Sequence, residues 1–101
     1  SDEGLATLAM GMQSLQRLSV VACSMITEVG LIGLSEHCHD LRYLDVSFCY
    51  RITDRGFSAL RVGCKSLEYL AMLGVNGISR PEMDRLRRAI KTIVLEETTE
   101  D

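Results

Sequence analysis

The chain has 101 residues, enough for one domain and too few for a second core. A hydrophobic share of 47% and a charged share of 25% are those of a globular chain and argue against intrinsic disorder. The formal net charge of −3 argues against a nucleic-acid binder that works by neutralising phosphates. No stretch approaches the roughly 20 apolar residues of a membrane span. The start, Ser1-Asp2-Glu3-Gly4, is acidic and lacks the basic segment that opens a signal peptide. The expected setting is therefore cytoplasmic or nuclear, with neither nucleic acid nor membrane as a partner.

The four cysteines give the first sign of organisation. Cys23 and Cys49 are 26 residues apart, and so are Cys38 and Cys64. A fixed period points to internal repeats before it points to disulfides. In chain order, residues 1–12 read as the second half of a repeat, with Gly4, Leu8 and Met12 at its marked positions. Repeat 13–38 carries Leu15, Leu18, Val20, Cys23, Ile26, Thr27, Gly30, Leu34 and Cys38. Repeat 39–64 carries Leu41, Leu44, Val46, Cys49, Ile52, Thr53, Gly56, Leu60 and Cys64. Repeat 65–90 carries Leu67, Leu70, Met72, Val75, Ile78, Ser79, Glu82, Leu86 and Ile90.

Each repeat changes period in its middle. Leu15-x-x-Leu18-x-Val20 ends in alternation, the pattern of a short strand with one buried face, whereas Gly30, Leu34 and Cys38 follow at helical spacing. Thr27 and Thr53 stand where an N-cap is wanted. Ser79-Arg80-Pro81-Glu82 has the form of a capping box with proline in the first turn. A strand and a helix of this size cannot bury their apolar faces alone. Stacking the repeats does so, which predicts an α/β solenoid with a parallel sheet on one side and helices on the other.

A helix is predicted from about Pro81 to Lys91, with Asp84 and Arg88 spaced for an i,i+4 ion pair. Thr92 to Leu95 reads as a capping strand, with Ile93 aligned on Leu67. The acidic tail 96–101 reads as disordered. The exposed upstream edge at Leu15, Leu18 and Val20 leads to the expectation that the protein continues upstream or that another chain covers this edge.

The chemistry-bearing residues point away from catalysis. There is no Gly-rich phosphate loop, no H-E-x-x-H and no G-x-S-x-G. Zinc sites are built from close pairs such as C-x-x-C, which the chain lacks, and the neighbours in His37-Cys38-His39 splay apart. Neither a metal nor a cofactor is expected. The cysteines read as small buried hydrophobes at repeat positions, although neighbouring strands, about 4.8 Å apart, leave a Cys23–Cys49 bridge geometrically open. The cluster Arg85, Arg87 and Arg88 reads as a solvated helix face paired with Glu82 and Asp84, in preference to a site for an acidic partner or phosphate.

The run from Leu41 to Gly56, Leu-Arg-Tyr-Leu-Asp-Val-Ser-Phe-Cys-Tyr-Arg-Ile-Thr-Asp-Arg-Gly, resembles the cysteine-containing leucine-rich repeat, L-x-x-L-x-L-x-x-C-x-x-I-T-D-x-G. Leu15 to Gly30 keeps the same pattern with Glu28 for the aspartate, and the third repeat departs at Val75, Ser79, Arg80 and Glu82. The resemblance places Leu15, Leu18, Cys23, Leu41, Leu44, Cys49, Leu67 and Leu70 at structural repeat positions and implies a right-handed leucine-rich-repeat solenoid, with short parallel strands on the concave side and helices on the convex side.

Repeats of this type are carried above all by F-box proteins, the substrate receptors of Skp1–cullin–F-box ubiquitin ligases. The resemblance thus implies a substrate-reading arm that takes a protein substrate on its concave face and reaches Skp1 and cullin through an F-box absent from this chain. Other bearers of similar repeats imply a scaffold of the axonemal dynein-regulatory or mitotic-exit type, or a mitochondrial assembly factor.

The residues between the buried strand positions point outward: Gln16, Arg17, Ser19 and Val21, then Arg42, Tyr43, Asp45 and Ser47, then Glu68, Tyr69, Ala71 and Leu73. At 26-residue spacing, Arg17, Tyr43 and Tyr69 fall in one column. Arginine and tyrosine are the types that dominate binding hot spots. The candidate protein-binding residues are therefore Arg17, Ser19, Arg42, Tyr43, Asp45, Glu68 and Tyr69.

Overall fold

The computed structural model describes residues 1–96, so the tail expected to be disordered lies outside the described residues from Glu97 onward. Helices and strands alternate: α1 (Asp2–Gly11), β1 (Arg17–Ser19), α2 (Glu28–His37), β2 (Tyr43–Asp45), α3 (Asp54–Gly63), β3 (Tyr69–Ala71), α4 (Arg80–Ala89) and β4 (Thr92–Val94). The strands form one parallel sheet in sequence order, with Leu18 opposite Leu44, Leu44 opposite Leu70 and Leu70 opposite Ile93.

These leucines carry the core. Leu44 and Leu70 from the strands and Leu31, Leu34, Phe57, Leu60 and Leu86 from the helices are fully buried in one cluster. Each stabilises the fold by about 1.5–3 kcal/mol relative to an exposed side chain. Leu41, Cys49 and Leu67 are buried as well, whereas Leu15, Leu18 and Cys23 on the first strand segment are only partly buried, because no strand lies upstream of β1 among the described residues.

Cys38, Cys49 and Cys64 are buried, and their thiols reach back to carbonyls of the preceding repeat. Cys49 Sγ lies 3.0 Å from the Val20 oxygen, Cys64 Sγ 3.3 Å from the Cys38 oxygen, and Cys38 Sγ 3.6 Å from the Met12 oxygen. All four cysteines are free thiols, so the bridge left open by strand spacing does not form. The Cys23 thiol, with no strand upstream of β1 among the described residues, lies 3.7 Å from the oxygen of Val21.

The helix starts form a second ladder that sequence patterning did not reveal. The Thr27 amide and hydroxyl donate to the Asp2 carboxylate at 2.8 and 2.6 Å, the Thr53 hydroxyl donates to Glu28 at 3.0 Å, and the Ser79 amide donates to Asp54 at 2.6 Å. The first-turn acid of each helix thus holds the cap residue of the next. Hydrogen bonds from the Ser79 hydroxyl and amide lower the Asp54 pKa below its ordinary value. The expected capping box is only half formed: Ser79 Oγ accepts from the Glu82 amide, but Asp54 takes the Ser79 N–H. Thr53 makes no side-chain cap bond of its own.

The last repeat departs from the others in register. Ile93 pairs with Leu70 and not with Leu67, 23 residues on where the earlier spacing is 26. The three residues are lost between helix and strand. Cys64 turns the chain at φ −106°, ψ 73° after α3, whereas Ile90 is extended at φ −117°, ψ 129° and leads almost directly into β4. The helix ends at Ala89 and the strand at Val94, short of the expected Lys91 and Leu95.

Helix packing turns on small residues. A methyl group at Gly63 would collide with the Ser35 carbonyl oxygen, while one at Gly11 would meet nothing within 4 Å. Gly63→Ala is therefore expected to cost about 1–3 kcal/mol as backbone and side chain are forced apart. Gly11→Ala should be neutral or stabilising by up to about 1 kcal/mol, through the unfolded state. Urea midpoints for the two variants check this, and equal midpoints would contradict the packing.

Burial pushes the Cys64 thiol up to about 12, and the thiols of Cys38 and Cys49 are also raised by desolvation. A thiol whose pKa rises on folding favours the folded state below its unfolded pKa, about 8.5. That contribution fades as pH climbs toward the folded value. Iodoacetamide at neutral pH should modify Cys23 first and Cys64 only after unfolding; mass mapping that finds Cys64 labelled together with Cys23 would refute its burial.

Candidate partner-binding face

The strands place one side chain of each central pair outside the core, and the parallel register stacks those side chains. Arg17 lies opposite Tyr43, and Tyr43 opposite Tyr69. The two tyrosine rings are stacked with centroids 4.4 Å apart and planes 6° from parallel, and the Arg17 guanidinium sits 4.8 Å from the Tyr43 centroid. The result is a column of three flat groups along the outer face of the sheet. A guanidinium over a tyrosine ring is attracted by about 0.5–1 kcal/mol at an exposed site.

Around the column, Arg42 and Glu68 form an ion pair at 2.8 Å, with both side chains more than half exposed. Such a pair contributes about 0–1 kcal/mol to stability. Gln16, Arg17, Arg42, Tyr43, Glu68 and Tyr69 together line a shallow cleft of about 250 Å³. Ser19 is exposed two residues further along the strand, opposite the half-buried Asp45. The Asp45 carboxylate accepts a hydrogen bond from the Ser47 amide at 2.9 Å. Desolvation, then the Tyr43 hydroxyl and the Asp45 charge, raise the Tyr69 pKa above its ordinary value.

Two side chains expected to face outward do not. Ser47 is buried because its hydroxyl accepts from the Leu73 amide at 3.1 Å, bridging to the next repeat, and Ala71 is too small to emerge between its neighbours. The His37-Cys38-His39 run is divided as well. The Cys38 thiol points to carbonyls of the first helix, while His39 Nδ1 lies 2.9 Å from the Gly63 oxygen. Among the described residues, no cluster of three His, Cys, Asp or Glu side chains is placed to hold a metal ion. No helix among them is long and apolar enough to cross a membrane.

Aromatic residues missed in the sequence lie on the turn that follows β2. Ala22, Phe48 and Gly74 hold the same repeat position at φ 60°, 64° and 73°. A left-handed backbone suits glycine and is a genuine outlier for a bulky residue such as phenylalanine. Hydrogen bonds from the Phe48 amide to the Leu73 oxygen at 2.7 Å, and from Ala22 to Ser47 at 2.7 Å, hold the turns in place. Phe48 is 38% exposed and meets Tyr50, 60% exposed, edge to face at 6.4 Å. Gly74 leaves the room that the Phe48 ring occupies. The available signal was two aromatic residues flanking Cys49 just past the strand, where the repeat pattern calls for no apolar residue.

No family model matches the chain, and no curated protein matches it in sequence. Among solved structures, it is similar to a chain in the crystal structure of the Rad7 and Elc1 complex from yeast, with a TM-score of 0.74 at 17% identity. The match covers 97% of this chain and 29% of the other, so the chain spans under a third of that neighbour's length. At this identity the likeness concerns the fold alone: an α/β architecture of alternating helices and parallel strands, consistent with a leucine-rich-repeat-like unit.

The stack can be checked by spectrophotometric titration. With Tyr43 and Tyr50 replaced by Phe, Tyr69 alone reports; the Tyr43 hydroxyl is gone, but desolvation, the largest cause, and the Asp45 charge remain, so it should still ionise above the ordinary tyrosine value of about 10. Asp45→Asn in the same background should bring the midpoint down, because a nearby negative charge opposes formation of phenolate. An unchanged midpoint would place Asp45 out of electrostatic reach of the ring.

Proposed function

We propose that this chain is a protein-interaction module, a right-handed leucine-rich-repeat solenoid segment whose concave sheet face holds a protein substrate. In this reading it forms substrate-recognition repeats of an F-box-type subunit in a Skp1–cullin–F-box ubiquitin ligase. The observation that carries the proposal is the Arg17–Tyr43–Tyr69 column, three residues of hot-spot type stacked on the outer face of the sheet by strand register. Rigid aromatic groups lose little conformational freedom on binding, so most of their contact energy is available to a partner. The fold likeness to a chain crystallised in a two-protein complex supports protein partners in general. The chain itself performs no bond-making step and contributes position alone. Skp1 and cullin join through the F-box of the parent protein, which works in the cytoplasm or nucleus.

The test is affinity capture of the full-length parent from cells, as wild type and as the Tyr43→Ala, Tyr69→Ala double variant. Both forms should recover Skp1 and cullin, and a distinct set of proteins should fall about thirtyfold in the variant, the loss of a hot spot worth about 2 kcal/mol. Equal recovery of every protein would remove the concave-face reading. Absence of Skp1 and cullin, with a stable structural complex in their place, would reassign the chain to a scaffold.

A further inference from the structure

The last helix differs from its predecessors in one position that changes how it packs. Where α2 and α3 carry Gly30 and Gly56 in their first turns, α4 carries Glu82. A methyl group at Gly56 would press on the Glu28 backbone, so α2 and α3 run close together there. Glu82 puts a full side chain into the equivalent space. Its buried carboxylate accepts from Arg61 of α3 at 3.0 Å and meets Arg85 at 3.5 Å. As a result, α4 lies less closely against α3 than α3 does against α2. A groove of about 440 Å³ opens between the C-terminal halves of α3 and α4.

The groove has a cationic rim and an apolar floor. Lys65, Arg85 and Arg88 stand around it, and among the described residues Lys65 and Arg88 make no ion pair. Asp84 does not pair with Arg88, contrary to the expectation from their spacing. Glu82 pairs with Arg61 and with Arg85 and makes no ion pair with Lys65 or Arg88. Val62, 59% exposed, lies in the groove, backed by Leu67 and Ile90. The chain as a whole has a net charge of −3, so this cationic surface stands against an acidic remainder.

We propose that the α3/α4 groove binds an acidic peptide segment that carries an apolar anchor residue. Lys65 and Arg88, without an ion pair among the described residues, supply the electrostatic complementarity that steers and orients such a segment. Val62 offers the anchor contact. A nucleic-acid backbone has no use for the apolar floor, and the acidic remainder of the chain opposes an extended polyanion. This surface is separate from the tyrosine column on the sheet.

A fluorescein-labelled synthetic peptide of alternating acidic and leucine residues, titrated by anisotropy into the intact chain, provides the test. The wild type should bind it saturably and more weakly as salt rises. Lys65→Glu with Arg88→Glu should weaken binding at least about tenfold, and Lys65→Gln with Arg88→Gln, which introduces no charge, should give a smaller loss. Val62→Ser should weaken binding with the salt dependence unchanged, and Tyr43→Ala with Tyr69→Ala should bind as wild type. Circular dichroism of each variant keeps a folding defect separate from a binding one. No saturable binding, undiminished binding in both charge variants, or displacement of the peptide by single-stranded DNA of equal charge would overturn the proposal.

Discussion

Everything else in the molecule depends on the parallel ladder that sets Leu18, Leu44, Leu70 and Ile93 side by side. With strands of only three residues, the backbone bonds of one pair are too few to fix register alone. Two side-chain ladders reinforce it. Buried thiols bond to carbonyls of the preceding repeat, and first-turn acids bond to the cap of the next helix. The strand, loop and helix start are thereby tied to the same neighbour, and a slip in one would break bonds in all three. An unbonded buried polar group costs about 1–3 kcal/mol, so such a slip is strongly disfavoured. Among the described residues, no buried side-chain nitrogen or oxygen lacks a partner.

That same register makes the outer face of the sheet a regular surface. Residues with no contact in sequence, 26 positions apart, become stacking partners at 4.4 Å. Phe48 adds aromatic area near the end of the same strand at the expense of a left-handed backbone. Residues in such conformations persist only where surrounding bonds over-determine them, and they cluster at functional sites. The amide bond from Phe48 to Leu73 and the packing against Gly74 supply that constraint.

The final repeat shows how one altered repeat position propagates. Glu82, in place of glycine, separates two helices and pairs with Arg61 of the neighbouring helix and Arg85 of its own, while Arg80, Arg87 and Arg88 make no ion pair among the described residues. The altered ending at Ile90, without the turn made by Cys64, shortens the path into β4. Helix and strand thus both depart from the repeat at the end of the sheet, where no further repeat follows among the described residues and strict periodicity is no longer demanded.

The chain's own pattern determined the period, the alternation of strand and helix, and the grouping of Arg17, Tyr43 and Tyr69, because apolar spacing records which side chains must be buried. It carried no information on distance between repeats. Spacing allowed a bridge between Cys23 and Cys49, and only the packed structure turned the Cys49 thiol to a carbonyl. The pairing of Ile93 with Leu70 depended on backbone angles at Ile90, and the burial of Ser47 on an amide in the next repeat. Glu82 looked like a capping residue locally and became a buried anchor for Arg61, since a carboxylate between two helices gains more from a charged partner than from an amide already held by Asp54. Local chemistry proposes partners within a repeat, but competition among neighbouring repeats decides which bonds form.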